Sequence, residues 1–255
     1  MRLARLAQRL RTYDWTAAAI ELLIVIVGIL IALQVSNWNQ DRLDRVRGED
    51  TALVHLAALQ SDLTNTASTR AFWNQVADYQ AAALAHGERG ELVDGSAWKT
   101  VLAYYQAGQI RPFELENTSF SEMRDAGDLG LIADEDLRKD LSNYYRMSGG
   151  GISAQILQHD PAYRMQIRGL VPIKVQEHIW THCFRQLKGT DQRLLACESP
   201  IPEAEAEAIL QTLRGSESLL QNLRTWVAWL RVSGFVITEA ERMARLMEGR
   251  LAAKG

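Results

Sequence analysis

Proline is scarce. With five prolines and 17 glycines in 255 residues, long stretches contain nothing that interrupts an α-helix. Ala, Leu, Arg, Gln and Glu fill them, and the composition reads as helical. An excess of positive charge is also missing. The first 14 residues are +3, four Arg against Asp14; Glu21 is −1, and the remaining chain is −5, for −3 in all. A mildly acidic body lacks the basic face that nucleic-acid phosphates require, so no nucleic-acid partner is expected. Cysteine is reduced to Cys183 and Cys197, separated by FRQLKGTDQRLLA. In an oxidising compartment the pair can close a loop of 15 residues, worth about 3 kcal/mol on the chain-entropy model; in a reducing one they are two thiols on separate helices. They are the disulfide candidates.

Long hydrophobic runs are absent but for one. Residues 15–35, WTAAAIELLIVIVGILIALQV, number 21, and at about 1.5 Å of rise each they match the hydrocarbon thickness of a bilayer. Tyr13 and Trp15 flank one end and Trp38 the other, where amphipathic rings straddle the lipid–water interface. Arg2, Arg5, Arg9 and Arg11 precede the run, while Arg42, Arg45 and Arg47 follow it. A bias of four to three places residues 1–14 in the cytoplasm and residues 36–255 outside, in the periplasm of a bacterial inner membrane. Leu3, Leu6 and Leu10 share one helical face and Arg2, Arg5 and Arg9 another, which reads as a positive-inside anchor or as a short interfacial helix on anionic lipid. The run ends in QVSNW with no well-placed small-x-small pair, so a retained anchor is expected rather than a cleaved signal peptide.

Inside the run Glu21 is out of place, because an intramembrane carboxylate costs a few kcal/mol unless it is protonated, paired or snorkelling. At about 100° per residue, Gly28 and Ala32 fall on either side of the Glu21 direction and Ser36 lies near the same stripe. Gly28-x-x-x-Ala32-x-x-x-Ser36 is a small-residue face that lets two helices approach closely in lipid. Either it packs against a second copy or another membrane protein, with Glu21 satisfied there, or Glu21 snorkels alone to the headgroups.

From Ser36 to about Ala85 only Gly48 weakens a helix, and Leu43, Val46, Leu53, Leu56, Leu63, Val76 and Tyr79 recur as its apolar residues. The span is expected to continue as a long helical stalk into the domain core. Residues 87–95 break it. A helix over 96–107 buries one face through Trp98, Leu102 and Tyr105, and Pro112 precedes a loop. Ser119-x-x-Glu122 reads as a capping box, Gly127 as a left-handed C-terminal residue, and Asp134 as the cap of a helix carrying Leu137, Leu141 and Tyr144. Ser148–Gly151 is a joint between helical hairpins, and helices fit 153–168 and 172–187. Glu203 and Glu205 favour the first turn of a helix after Pro202. The last helix runs from Glu217 to Ala252, about 54 Å, with Leu220, Leu223, Val227, Leu230, Gly234, Ile237, Ala244, Met247 and Leu251 near a 3.5-residue repeat. TWVAWLRVSGFVI within it is too short and carries Arg231, so no second span is expected. Together these give an all-α chain of five to seven helices, an N-terminal transmembrane helix continuing into an elongated antiparallel helical bundle.

The blocks AIELLIVIVGILIALQVSNWNQDR and NTSFSEMRDAGDLGLIADEDLRKDLSNYY resemble an uncharacterised, domain-of-unknown-function family of bacterial single-pass envelope proteins. Glu21, residues 28–34, Asn37–Asn39 and residues 127–145 carry the likeness, and Ser36 stands where a second Asn is expected. The resemblance implies a short inside terminus, one span and an exterior helical domain. It implies no activity.

Reactive chemistry is thinly represented. No Ser, Cys or carboxylate pair has the context of a nucleophile or an acid–base couple, and no enzyme is expected. Asp125, Asp128, Asp134 and Asp136 lack the spacing of an EF-hand loop. The glycines at 149–151 lack the Lys-Ser/Thr of a P-loop. His178 and His182 sit one turn apart, but without a third ligand and with Cys183 engaged elsewhere they read as ordinary histidines. No cofactor or metal is expected. The leading function is a membrane-anchored interaction or scaffold protein of the cell envelope; the alternative is a sensory or regulatory subunit that signals to a membrane partner through its span.

Overall fold

The computed structural model describes residues 15–111, 115, 117–132, 134–148, 160–187 and 191–252. The basic N-terminus, Pro112 and the glycines at 149–151 lie outside the described residues. Among the described residues the chain is all-α apart from one two-stranded hairpin. Eight α-helices and one 3₁₀ turn follow in order: α1 Trp15–Arg89, α2 Ala97–Gln106, α3 Thr118–Ala126, the 3₁₀ turn Asp128–Leu131, α4 Glu135–Ser148, α5 Ala162–Leu170, α6 Ile173–His182, strands β1 Phe184–Gln186 and β2 Gln192–Leu194, α7 Glu203–Arg214 and α8 Glu217–Ala252. That exceeds the five to seven helices expected. The chain divides into two compact units, Met1–Thr51 and Ala52–Gly255.

The first unit holds the N-terminal part of α1. Ala19–Gly48 is long and apolar enough to cross a membrane, a property that a signal sequence shares, and its apolar part is unburied throughout.

The second unit is built on two apolar clusters. One surrounds α2, with side chains from α5, α6, α7 and the start of α8. The expected single buried face of α2 is corrected here: Ala97, Trp98, Val101, Leu102, Tyr104 and Tyr105 are all buried, as are Thr100 and Gln106. A helix apolar on every side belongs in the middle of a core, and α5 and α7 pack directly on it. The other cluster joins Leu59 of α1 to Phe120 and Met123 of α3, Leu137, Leu141 and Tyr144 of α4, and Ala240 to Leu251 of α8. Between them Phe72 and Val76 of α1 hold Leu194 of the hairpin.

Within this unit α8 runs antiparallel to residues 60–88 of α1. Gln60 donates to Glu248 at 3.3 Å, Arg70 pairs with Glu241, and Arg224 donates to Glu88 at 2.8 Å. The bounds of α8 are as expected, and Leu223, Ile237, Ala244, Met247 and Leu251 are buried; in its first half Leu219, Trp226 and Ser233 are buried instead, while Leu220, Val227 and Leu230 are half-buried and Gly234 is exposed. The buried seam of α1 is not: Val76 is buried and Leu56, Leu63 and Tyr79 half-buried, but Leu43 and Val46 are exposed. Its inward positions are instead shared with His55, Asp62, Thr66, Thr69, Gln80 and His86, which an apolar periodicity does not register.

Helix ends follow local chemistry. Ser96 caps α2 by accepting the Lys99 N–H at 3.3 Å. Asp134 accepts the Leu137 N–H at 3.0 Å and starts α4. Gly127, with φ of 81°, ends α3 in the left-handed conformation. The Ser119 capping box does not form, because α3 begins at Thr118 and Asn117 holds the cap position without a side-chain bond. The helix expected over 172–187 stops at His182. Cys183 leaves it, and residues 184–186 pair antiparallel with 192–194. Helix α5 runs Ala162–Leu170 after Pro161, and residues 153–159 of the expected helix lie outside the described residues.

His55 couples this core to pH. It is fully buried, its ring meets Met123 Sδ at 3.2 Å through Nε2, and Nδ1 has no partner among the described residues. Burial holds the imidazole pKa below its ordinary 6.5, and His86 is lowered by burial and by the nearby Arg214. The unfolded chain therefore binds protons first, and this stability is complete above about 6.5 and lost as pH falls toward the folded-state values. The denaturation midpoint is expected to drop between pH 7.5 and 5.5, and His55→Leu to flatten that drop. An unchanged slope in the variant contradicts the assignment.

Candidate functional site

The expected packing face lies on the membrane-candidate helix. Glu21, Gly28, Ala32 and Ser36 are all exposed in the isolated chain. A Cβ added at Gly28 meets nothing within 4 Å. The large apolar side chains around them, Leu22 to Val35, are exposed to a similar degree. No part of the described chain covers this surface.

In the second unit a polar belt lies between the two apolar clusters. Arg111 is its deepest member, with its guanidinium 1% exposed. One terminal nitrogen, Nη1, donates to Ser68 Oγ at 2.8 Å and to Asp191 Oδ1 at 3.4 Å, and Nη2 donates to Asn65 Oδ1 at 3.2 Å. Ser68 in turn donates to Asp191. Burial lowers the Arg111 pKa and Asp191 opposes that. Arg111 thus ties the end of the α2 segment to α1 and to the hairpin. Gln75 adds a second tie, donating to the Leu194 carbonyl at 3.1 Å and accepting the Leu194 N–H at 3.2 Å, so an amide side chain completes the free edge of β2. A cavity of about 340 Å³ opens here, lined by Ser68, Phe72, Gln75, Asp191 and Gln192.

Farther along the same helices Glu241 is buried between Arg245, which donates at 2.8 Å, and Arg70. Arg245 first, then Arg70, keeps its carboxyl below the usual carboxylate range. Tyr144 donates to Asp62 Oδ2 at 3.1 Å, and burial next to that carboxylate pushes the phenol pKa up. Most of these polar atoms are satisfied in pairs, which is what buried polar side chains require to be tolerated, whereas Arg111 Nε is buried without a hydrogen-bond partner among the described residues. Ser68 has no histidine beside it, and no histidine among the described residues bonds a serine, threonine or cysteine side chain. The belt has the chemistry of a structural network.

Cys183 and Cys197 are joined as a disulfide, with Cα atoms 5.2 Å apart. The structure brings a third residue to them. Ligand atoms of His178, Cys183 and Cys197 all lie within 4.8 Å of one another, the one such group of three among the described residues. The pair considered from sequence behaves differently. His178 and His182 stack with centroids 4.3 Å apart, and His182 Nδ1 meets the His178 carbonyl at 3.2 Å. Cys197 sits 19 positions from His178, in a segment with no helical register to it, and only the hairpin returns it to α6. The aspartates at 125, 128, 134 and 136 form no such group; Asp125 pairs with Arg124 at 2.9 Å and Asp134 caps α4.

No protein-family model, curated protein or solved structure matches the chain.

Proposed function

We propose that the chain is a membrane-anchored helical interaction protein of the bacterial cell envelope. Residues 15–35 cross the inner membrane, residues 1–14 lie in the cytoplasm, and the domain following the span is periplasmic. The observation that carries this reading is the stretch Ala19–Gly48, whose apolar part is not buried by the described residues and finds its cover in lipid and a neighbouring helix. The likeness of Glu21, residues 28–34 and Asn37–Asn39 to bacterial single-pass envelope proteins supports the same topology. An oxidised Cys183–Cys197 pair fits an exterior domain.

The partner is a second copy of the chain or another membrane protein, held along Glu21, Gly28, Ala32 and Ser36. A hydrogen-bond donor from the partner offsets the cost of burying Glu21 in lipid. Gly28→Leu is expected to remove the close approach and Glu21→Ala the polar tie. Each is expected to cut chemical crosslinking or mild-detergent co-purification at least about fivefold, while the level of inserted chain stays the same. Unchanged crosslinking in both variants contradicts the packing face and leaves Glu21 snorkelling alone.

A sensory or regulatory role is the second reading. It draws on α1, which carries the apolar segment and a wall of the domain core in one uninterrupted helix, Trp15–Arg89. In this reading the output passes through the span to a membrane partner. No enzymatic activity is proposed.

A further inference from the structure

We propose that His178, Cys183 and Cys197 form a site for a zinc-class divalent cation when the disulfide is reduced, so that the same two sulfurs serve either as a covalent bridge or as thiolate ligands. Two thiolates and an imidazole are the donor set that zinc prefers, and three protein ligands leave a fourth position to water.

The geometry is prepared without the S–S bond. Cys183 closes α6, its N–H donating to the Ile179 carbonyl at 2.9 Å. Its own carbonyl accepts the Leu195 N–H at 2.8 Å and Gln106 Nε2 at 2.9 Å. Cys197 is pinned from the other side, where its carbonyl accepts Trp98 Nε1 at 2.8 Å. The pairing of Phe184 with Leu194 fixes the strands between them. None of these bonds uses sulfur, so the two thiols stay opposed after reduction.

His178 is oriented for the same purpose. Its Nε2 lies 2.8 Å from the Glu198 carbonyl. A carbonyl only accepts, so Nε2 carries the proton and Nδ1 keeps the lone pair. With Nε2 held by a backbone carbonyl, Nδ1 is the nitrogen left to bind a metal, as in sites where a carbonyl holds the other ring nitrogen of the ligand. Trp98 packs edge-on against the ring at 5.9 Å and His182 stacks on it. Ligand atoms around tetrahedral zinc are separated by about 3.3–3.8 Å; side-chain rotation lets the two sulfurs separate to that distance once the bond is broken and brings the ring nitrogen, within 4.8 Å of them, to the same spacing. Cys183 is buried while Cys197 and His178 are half-buried, so an ion enters from the Cys197 side.

The balance is simple. A phosphine reductant gives two electrons to the disulfide and leaves as its oxide, with water supplying the oxygen and the two thiol protons. The metal ion then displaces those two protons as it binds both sulfurs. Reoxidation by a disulfide of a thiol carrier takes the two electrons back and releases the ion.

The test uses the full chain in mild detergent, reduced with a phosphine and titrated with Co²⁺ and then Zn²⁺. One equivalent of Co²⁺ per chain is expected to give a thiolate-to-cobalt charge-transfer band, which one equivalent of Zn²⁺ abolishes. The oxidised chain is expected to give no band. Cys197→Ser should remove most of the band, His178→Ala should weaken binding at least about tenfold, and His182→Ala should leave it within about twofold. Helical circular dichroism of the reduced chain, before metal, should match the oxidised chain. Loss of helix on reduction, absence of the band, or equal affinity in the parent and His178→Ala overturns the site.

Discussion

Trp226→Ala is expected to destabilise the helical domain by about 3–5 kcal/mol, the range for truncating a buried large aromatic side chain. Trp226 is buried on α8, stacks on Trp229 at a centroid distance of 5.2 Å and meets Trp73 of α1 edge-on at 6.3 Å. Its Nε1 donates to the Ala107 carbonyl at 3.0 Å, where Gln80 of α1 also donates at 3.4 Å. One indole therefore links the central helix to both long helices. Beside it an apolar groove of about 310 Å³, lined by Trp73, Ala77, Ala81, Leu84, Val227 and Leu230, leaves room that a cavity would enlarge. Trp226→Phe keeps most of the ring area and leaves the carbonyl to Gln80, so its cost is expected near about 1–2 kcal/mol. Chemical denaturation followed by circular dichroism separates the two. Equal losses in both variants would place the effect in the hydrogen bond rather than in packing.

Arg111→Ala is the second large effect, at about 3–5 kcal/mol. The substitution empties a fully buried side-chain site and strands the polar groups that Arg111 serves at Asn65, Ser68 and Asp191. Arg111→Lys is not expected to rescue it, because separate nitrogens of one planar fork reach Asn65 and Ser68, a geometry that a single ammonium cannot repeat. Asp191→Ala should cost less, since that carboxylate is about one-third exposed and the buried guanidinium keeps Asn65 and Ser68 as acceptors. A denaturation series that ranks Arg111→Ala below Asp191→Ala contradicts the role of the guanidinium as the fastener of the hairpin.

Both predictions concern residues that the sequence does not announce. Helical bounds were legible where the signals are local. Gly127 and Asp134 act through their nearest neighbours, and α8 shows its repeat over ten turns. The acidic first turn of α7 was legible in the same way. One of those acids does more than the dipole argument foresaw, because Glu203 reaches across to accept the Ala97 N–H at the start of α2. The hairpin was illegible because strands of three residues are too short for a period of two to appear. What holds it is Gln75 and Arg111, both distant in sequence. The buried seam of α1 was half legible: Val76 belongs to it, but Asp62, Thr66 and Thr69 look like a solvated face until Tyr144 and α8 close over them. Ser119-x-x-Glu122 has the letters of a capping box one position inside a helix that had already begun. Among the candidate site residues the cysteines were legible as a pair, whereas His178 joins them only through the fold. On the membrane-candidate helix the stripe of Glu21, Gly28, Ala32 and Ser36 follows from helical geometry alone, and all four are exposed among the described residues.

The central claim is an anchor crossing the bilayer once, with the helical domain outside. Protease added to intact spheroplasts tests it most directly, on a chain tagged at both ends. The C-terminal tag is expected to be lost, the N-terminal tag to be protected until lysis, and the chain to stay in the membrane pellet after an alkaline wash. A C-terminal tag digested only after lysis, or a chain released to the supernatant without detergent, contradicts it.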